Sequence, residues 1–142
     1  MKQQTNYTVG FLFNKKLKKV ALIRKQRPEW QKGKLNGIGG HIEDGEIPSI
    51  AQTREFFEET GLNYDNWVNF CRLNGDDFCV YCFSGIGDLS SLQTKTDETV
   101  EIVSVAKINK LKDSMIENLP WLIALAIDNI NDGRPSFVEA KY

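Results

Sequence analysis

Large apolar side chains open the chain in two short runs rich in β-branched and aromatic residues, Tyr7 to Phe13 (YTVGFLF) and Lys19 to Ile23 (KVALI). The polar tract Asn14-Lys15-Lys16-Leu17-Lys18 between them predicts a hairpin. Residues 26–41 contain Pro28, Gly33, Gly37, Gly39 and Gly40, too many breakers for a helix, so this stretch reads as loop with a short strand near Leu35 to Ile38. Pro48 suits the first position of a helix and Gly61 the left-handed residue after one, which predicts a helix of about 13 residues between them. Trp67 to Leu73, Phe78 to Phe83 and Thr99 to Val105 read as strands, with a turn at Asn74-Gly75-Asp76-Asp77 and a polar loop from Ser84 to Thr96. Leu119 to Ile130 has helical spacing, closed by Gly133 and Pro135. Hairpin strands with two separated helices predict an α+β fold, a sheet covered by helices, in one domain over residues 1–142.

On a helix advancing about 100° per residue, Glu55, Glu58 and Glu59 share one wedge while Ile50, Thr53 and Phe57 point the opposite way. This predicts that the second group packs and the first carries charge. Like charges at i,i+4 cost roughly 0.2–0.5 kcal/mol each, and Arg54 offsets only part of that. A divalent cation would remove the penalty, since hard ions such as Mg²⁺ take carboxylate oxygens together with substrate phosphates. For E-F-F-E-E in isolation, a solvated acidic face is the plainer alternative.

The surroundings change the balance. From Gly40 to Leu62 the chain reads GHIEDGEIPSIAQTREFFEETGL, which fits G-x5-E-x7-R-E-U-x-E-E-x-G-U (U apolar) at Gly40, Glu46, Arg54, Glu55, Phe56, Glu58, Glu59, Gly61 and Leu62. Chance agreement at a given start is on the order of 10⁻¹⁰ for average amino-acid usage. This is the Nudix box, and the chain resembles the Nudix hydrolases, with suitable strands before and after it.

The resemblance implies an α/β/α sandwich with a mixed sheet and a metal-dependent pyrophosphohydrolase. It also implies that the Gly40 carbonyl, Glu58 and Glu59 hold Mg²⁺ or Mn²⁺. Glu55 would bind metal or act as base, Arg54 would orient Glu55, and Glu46 would support the ligands from behind. Relatives often add an acid from a distant loop, for which Glu98 and Glu101 are the candidates, Glu98 the better placed. Metal ions neutralise diphosphate charge and lower the pKa of a bound water, and a nearby carboxylate takes its proton.

Before the box, Gly33-Lys34-Leu35-Asn36-Gly37-Ile38-Gly39-Gly40-His41 resembles the G-x-x-N-G-x-G-G-K of the oxidised-purine nucleoside triphosphatases, with His41 where those have lysine. A carboxamide offers a donor and an acceptor, so Asn36 suits a base edge, or serves as a turn residue before Gly37. His41 either meets phosphate or sits at a strand edge. The acidic pair those enzymes carry before the last helix is missing, leaving Glu117, Asn118 and Trp121 as base contacts, although Trp121 at that spacing suits the core.

Composition refines this picture without redirecting it. The chain has 142 residues, 41% hydrophobic and 26% charged, values that exclude low-complexity and collagen-like chains. A formal charge of -1 gives no global attraction to nucleic acid, yet nine of the 18 basic residues lie between Lys15 and Lys34. Within that group Arg24 and Arg27 are the phosphate candidates, because their strand leads toward the glycines. No apolar run approaches the roughly 20 residues of a membrane span and Met1 to Asn6 is polar, so a cytoplasmic protein with no membrane partner is expected. Cys71, Cys79 and Cys82 lack a second Cys or His pair at zinc spacing and are expected as buried, reduced thiols.

The leading expectation is a purine or oxidised-purine (deoxy)nucleoside triphosphate diphosphatase, monomeric or homodimeric, with a small nucleotide as its partner. Hydrolysis of ADP-ribose or a nucleotide sugar is the alternative, although such relatives commonly carry an extra N-terminal sheet region and this chain begins its core strand by Tyr7. A non-catalytic nucleotide-binding module is a third reading, but such modules usually lose box carboxylates and none is lost here.

Overall fold

In a computed structural model, which describes residues 4–133 and 137–142, β1 (Thr5–Phe13) is the spine of an eight-stranded sheet. The predicted hairpin forms with β2 (Lys19–Arg24), Leu12 standing opposite Ala21. β2 then diverges, and β4 (Ile38–His41) pairs antiparallel with the first half of β1 while β3 (Leu35–Asn36) stays with β2. On the other side of β1, β6 (Phe78–Ile86) runs parallel to it and antiparallel to β5 (Val68–Asn74). β7 (Thr99–Ser104) pairs with β2, and β8 (Val138–Lys141) runs parallel to β5. The sheet is therefore mixed.

Alternation along each strand sends side chains to two cores. Phe11, Phe13, Val20 and Leu22 join Leu119, Leu122, Ile123 and Ala126 of α2 (Leu119–Asp132) on one face. Leu12, Ala21, Ile23 and Ile38 join Phe56 of α1 (Pro48–Thr60) and Trp67 on the other. The sheet thus lies between helices, the α+β sandwich the sequence predicts. α1 has the predicted 13 residues, with proline in its first turn and Gly61 closing it at φ 78°. Among the described residues, no helix is long and apolar enough to cross a membrane.

One expectation about α1 is reversed. Ile50 is 56% and Phe57 52% exposed, whereas Ala51, Gln52, Phe56 and Thr60 are buried. On the helical wheel these four span an arc whose middle holds Glu55 and Glu59, so two carboxylates point inward and the aliphatic pair outward. Hydrophobicity misleads because the surface under this arc is partly polar main chain. Four other elements differ from expectation. β6 runs on to Ile86 and a 3-10 turn occupies Leu89–Ser91 within the predicted loop, a 3-10 segment covers Val105–Ser114, and β8 was not predicted. Gly133 caps α2 at φ 61°, while Pro135 lies outside the described residues.

Candidate active site

Gly40 faces α1 so closely that a Cβ there would lie 2.6 Å from the Glu55 carboxylate. A side chain there would push the Glu55 carboxylate away from the strand. Gln52, fully buried one turn earlier, fixes the spacing: its Nε2 donates to the Ile38 carbonyl at 2.8 Å, and the Thr8 hydroxyl donates to its Oε1 at 2.6 Å. Helix and glycine strand are thereby held in one register.

Arg54 organises the carboxylates. Its Nε and Nη2 each donate to Glu46 at 2.9 Å, Nη1 donates to Glu55 at 2.9 Å and Glu58 at 3.4 Å, and Nη2 also reaches the His41 carbonyl at 3.0 Å. The guanidinium holds the Glu46 carboxyl below its usual range, and in return the carboxylates raise the Arg54 pKa. Burial pushes Glu55 up, with Arg54 opposing it. Burial also pushes Glu59 up, opposed by a hydrogen bond from the Thr96 hydroxyl at 2.9 Å and reinforced by repulsion from Glu98 and Glu55.

Strand alternation separates the two distant acids. Val103 packs in the α2-side core and Val100 against the α1-side core, so Glu101 belongs to the α2 face and Glu98, just before β7, lies on the α1 side. Glu98 is 5% exposed and accepts from the backbone N–H of Gln26 at 2.7 Å and of Arg27 at 3.3 Å, and from Lys25 Nζ at 3.2 Å. Glu101 instead forms a two-pronged pair with Arg24 at 2.7 and 2.8 Å, held below the usual carboxylate range by it. The structure brings Glu98 toward Glu59 and takes Glu101 away.

The resulting donor set is all oxygen and short of positive charge, which fits a hard divalent cation and not a soft one. Among the described residues, no three His, Cys, Asp or Glu side chains stand in ready ligand geometry. Arg54 donates to Glu55 and Thr96 to Glu59, so a cation held by these carboxylates would need their side chains to turn. Residues 4–122 match the family model of the NUDIX domain. The chain is a Nudix hydrolase. As such it is a pyrophosphohydrolase of nucleoside diphosphate derivatives, in a family whose members generally need divalent metal ions, usually Mg²⁺ or Mn²⁺.

No curated protein matches this Nudix hydrolase. Solved structures share its fold at low identity. A NUDIX hydrolase from Nitrosomonas europaea has a TM-score of 0.79 at 14% identity, covering 100% of this chain and 80% of that one. A MutT protein, from work on Aliivibrio salmonicida and Vibrio cholerae, has a TM-score of 0.73 at 19% identity, covering 89% and 99%. The NUDIX domain of Shewanella oneidensis NrtR, complexed with ADP ribose, has a TM-score of 0.79 at 16% identity, covering 92% and 90%.

Other sequence candidates of this Nudix hydrolase are spread more widely. Arg24 lies on the α2 face with Glu101, and the exposed Arg27 pairs with Asp97. His41 stands opposite Tyr7, on the face away from Gly40, with the two rings edge-to-face at 4.8 Å. Asn36, opposite Ile23, belongs to the α1 face; its Nδ2 donates to Gln31 at 3.1 Å and its Oδ1 accepts from the Gly37 N–H at 2.8 Å. The Ile116 N–H donates to the Leu35 carbonyl at 3.0 Å, which brings the segment before α2 beside Asn36. There Glu117 is exposed and Asn118 donates to the Tyr142 hydroxyl at 2.6 Å. Trp121 is 43% exposed and not core, a correction that follows from its place on the outer side of α2. Two side chains were missed as site residues, Gln52 and Thr96, and Lys25 was passed over for Arg24 and Arg27 within the basic group. A buried Gln in a helix has no apolar signature, and Thr96 and Lys25 depend on contacts distant in sequence.

Proposed function

We propose that this enzyme hydrolyses purine or oxidised-purine (deoxy)nucleoside triphosphates to the monophosphate and pyrophosphate, using Mg²⁺ or Mn²⁺ and functioning as one domain over residues 1–142. The observation that carries the chemistry is the meeting of Gly40, Glu55, Glu59 and the Glu98 side of the 93–98 loop on one face of the sheet. The Gly40 carbonyl, Glu58 and Glu59 hold the cation, with Glu98 assisting and Glu46 fixing Arg54. When bound, the cation neutralises phosphate charge and acidifies water. Glu55 takes the proton of the attacking water at its carboxylate oxygen, a role favoured by burial raising its pKa. Water adds to phosphorus and the bridge between the α- and β-phosphates breaks, its electron pair leaving with the bridging oxygen.

Asn36 supports the purine reading, since it lies on the α1 face beside the segment carrying Glu117 and Asn118. To read a base its carboxamide exchanges Gln31 for the base edge. The ADP-ribose complex of the Shewanella domain favours a second reading, cleavage of a nucleotide sugar at the same carboxylates. Product analysis with Mg²⁺ against GTP, dGTP, their 8-oxo forms, CTP and ADP-ribose decides between them. Fastest turnover on a purine triphosphate is expected, and preference for ADP-ribose or CTP would overturn the purine assignment.

A further inference from the structure

Lys25 follows β2 directly and is locked at its main chain: its N–H donates to the Lys34 carbonyl at 2.9 Å and its carbonyl accepts from the Gly33 N–H at 2.8 Å. The alternation that puts Ala21 and Ile23 on the α1 side carries Lys25 to the same side, away from Arg24. Its Nζ reaches Glu98 Oε1 at 3.2 Å with 20% of the side chain exposed, against 6% for Glu98. The same charge acts on Glu59. Arg27 comes only to 3.9 Å from Glu98, is 63% exposed and is given over to Asp97. Among the described residues, Lys25 is thus the side-chain cation within hydrogen-bond reach of Glu98, while the charge of Arg27 acts on Glu98 and Glu59 from farther off. An ammonium on a flexible stem, unlike a forked guanidinium, releases a single carboxylate at little geometric cost.

The geometry points to Lys25 as a built-in counter-cation of the carboxylate cluster, which holds Glu98 and balances Glu59 when no divalent cation is present and yields to that cation as it enters. It is a positioning residue that sets the concentration at which the site loads. The inference rests on the reading of Glu59 and Glu98 as facing the cation. Replacing Lys25 by glutamine adds one uncompensated negative charge to the cluster and removes the competitor, so divalent affinity rises. Arginine keeps the charge and preserves wild-type affinity.

The test is Mn²⁺ titration without nucleotide, followed by electron paramagnetic resonance, on the full chain. Wild type binding Mn²⁺ with K25Q binding it at least about fivefold more tightly, the scale of a partly exposed ion pair, and K25R within about twofold of wild type is the expected result. Equal or weaker binding by K25Q overturns the inference while leaving the metal reading intact, whereas no Mn²⁺ binding by wild type removes both. Should K25Q not fold, nuclear magnetic resonance of the wild-type lysine ammonium groups gives the answer. The Lys25 signal shifts as Mg²⁺ saturates the site while that of exposed Lys34 stays; a Lys25 signal that does not respond overturns the inference.

Discussion

At Glu59 the fold keeps a carboxylate that burial and two neighbouring carboxylates push toward its protonated form. A folded-state pKa above the unfolded value means that the group's contribution is favourable below that unfolded value, about 4.5, and is lost as pH rises through the folded pKa. At neutral pH without metal, Glu59 therefore costs stability. Glu59→Gln is expected to lower kcat by about 10² or more yet leave the melting temperature in chelator unchanged or higher. A lower melting temperature in chelator would contradict that sign. Glu101 has the opposite sign: Arg24 depresses its pKa, so its contribution is present above about 4.5 and lost as pH falls through the folded value. Glu101→Gln should lose up to about 1 kcal/mol at pH 7, discounted for exposure, converge with wild type in acid, and keep its turnover. Glu98→Gln should instead weaken Mn²⁺ binding and lower kcat. The reverse pattern in the two variants, measured by thermal unfolding and initial rates, would reverse the assignment.

Among the elements, α1 shows how far the sequence carries and where it stops. Its ends were legible because Pro48 and Gly61 act through local backbone preferences, and the box residues were legible because their spacing is fixed along one helix. Which side of α1 faces inward was not, because Glu55 and Glu59 are half-buried against a glycine strand and a loop that arrive from elsewhere in the chain. The choice between Glu98 and Glu101 needed the register of β7 on β2, which depends on pairings far apart in sequence. β8 escaped prediction because four residues carry little periodic signal. Gln52 is the element-scale test, since it joins both the Thr8 hydroxyl and the Ile38 carbonyl to α1. Gln52→Leu should cost about 1–3 kcal/mol, the range for buried polar groups left unpaired, and should reduce kcat by loosening Gly40 from Glu55. Denaturant unfolding with no loss of midpoint would show that the contact does not hold the helix.

Across the whole molecule the sheet divides the labour: α1 and the carboxylates lie on one face, Arg24 with Glu101 on the other, and Asn36 sits where β3 meets the segment leading into α2. If the base is read there, Asn36→Ala should reduce kcat/KM for the preferred purine triphosphate by about 1–3 kcal/mol while barely changing a poor pyrimidine substrate. An equal loss on every substrate would make Asn36 a turn residue. Phosphorus nuclear magnetic resonance of a purine nucleoside triphosphate incubated with the enzyme reads out the proposed cleavage of the α–β phosphoanhydride at the inward carboxylates of α1. Pyrophosphate and nucleoside monophosphate should form with Mg²⁺, with neither forming in excess chelator nor at a comparable rate with Glu59→Gln. Orthophosphate as the sole new phosphate product, or undiminished turnover in chelator, would contradict it.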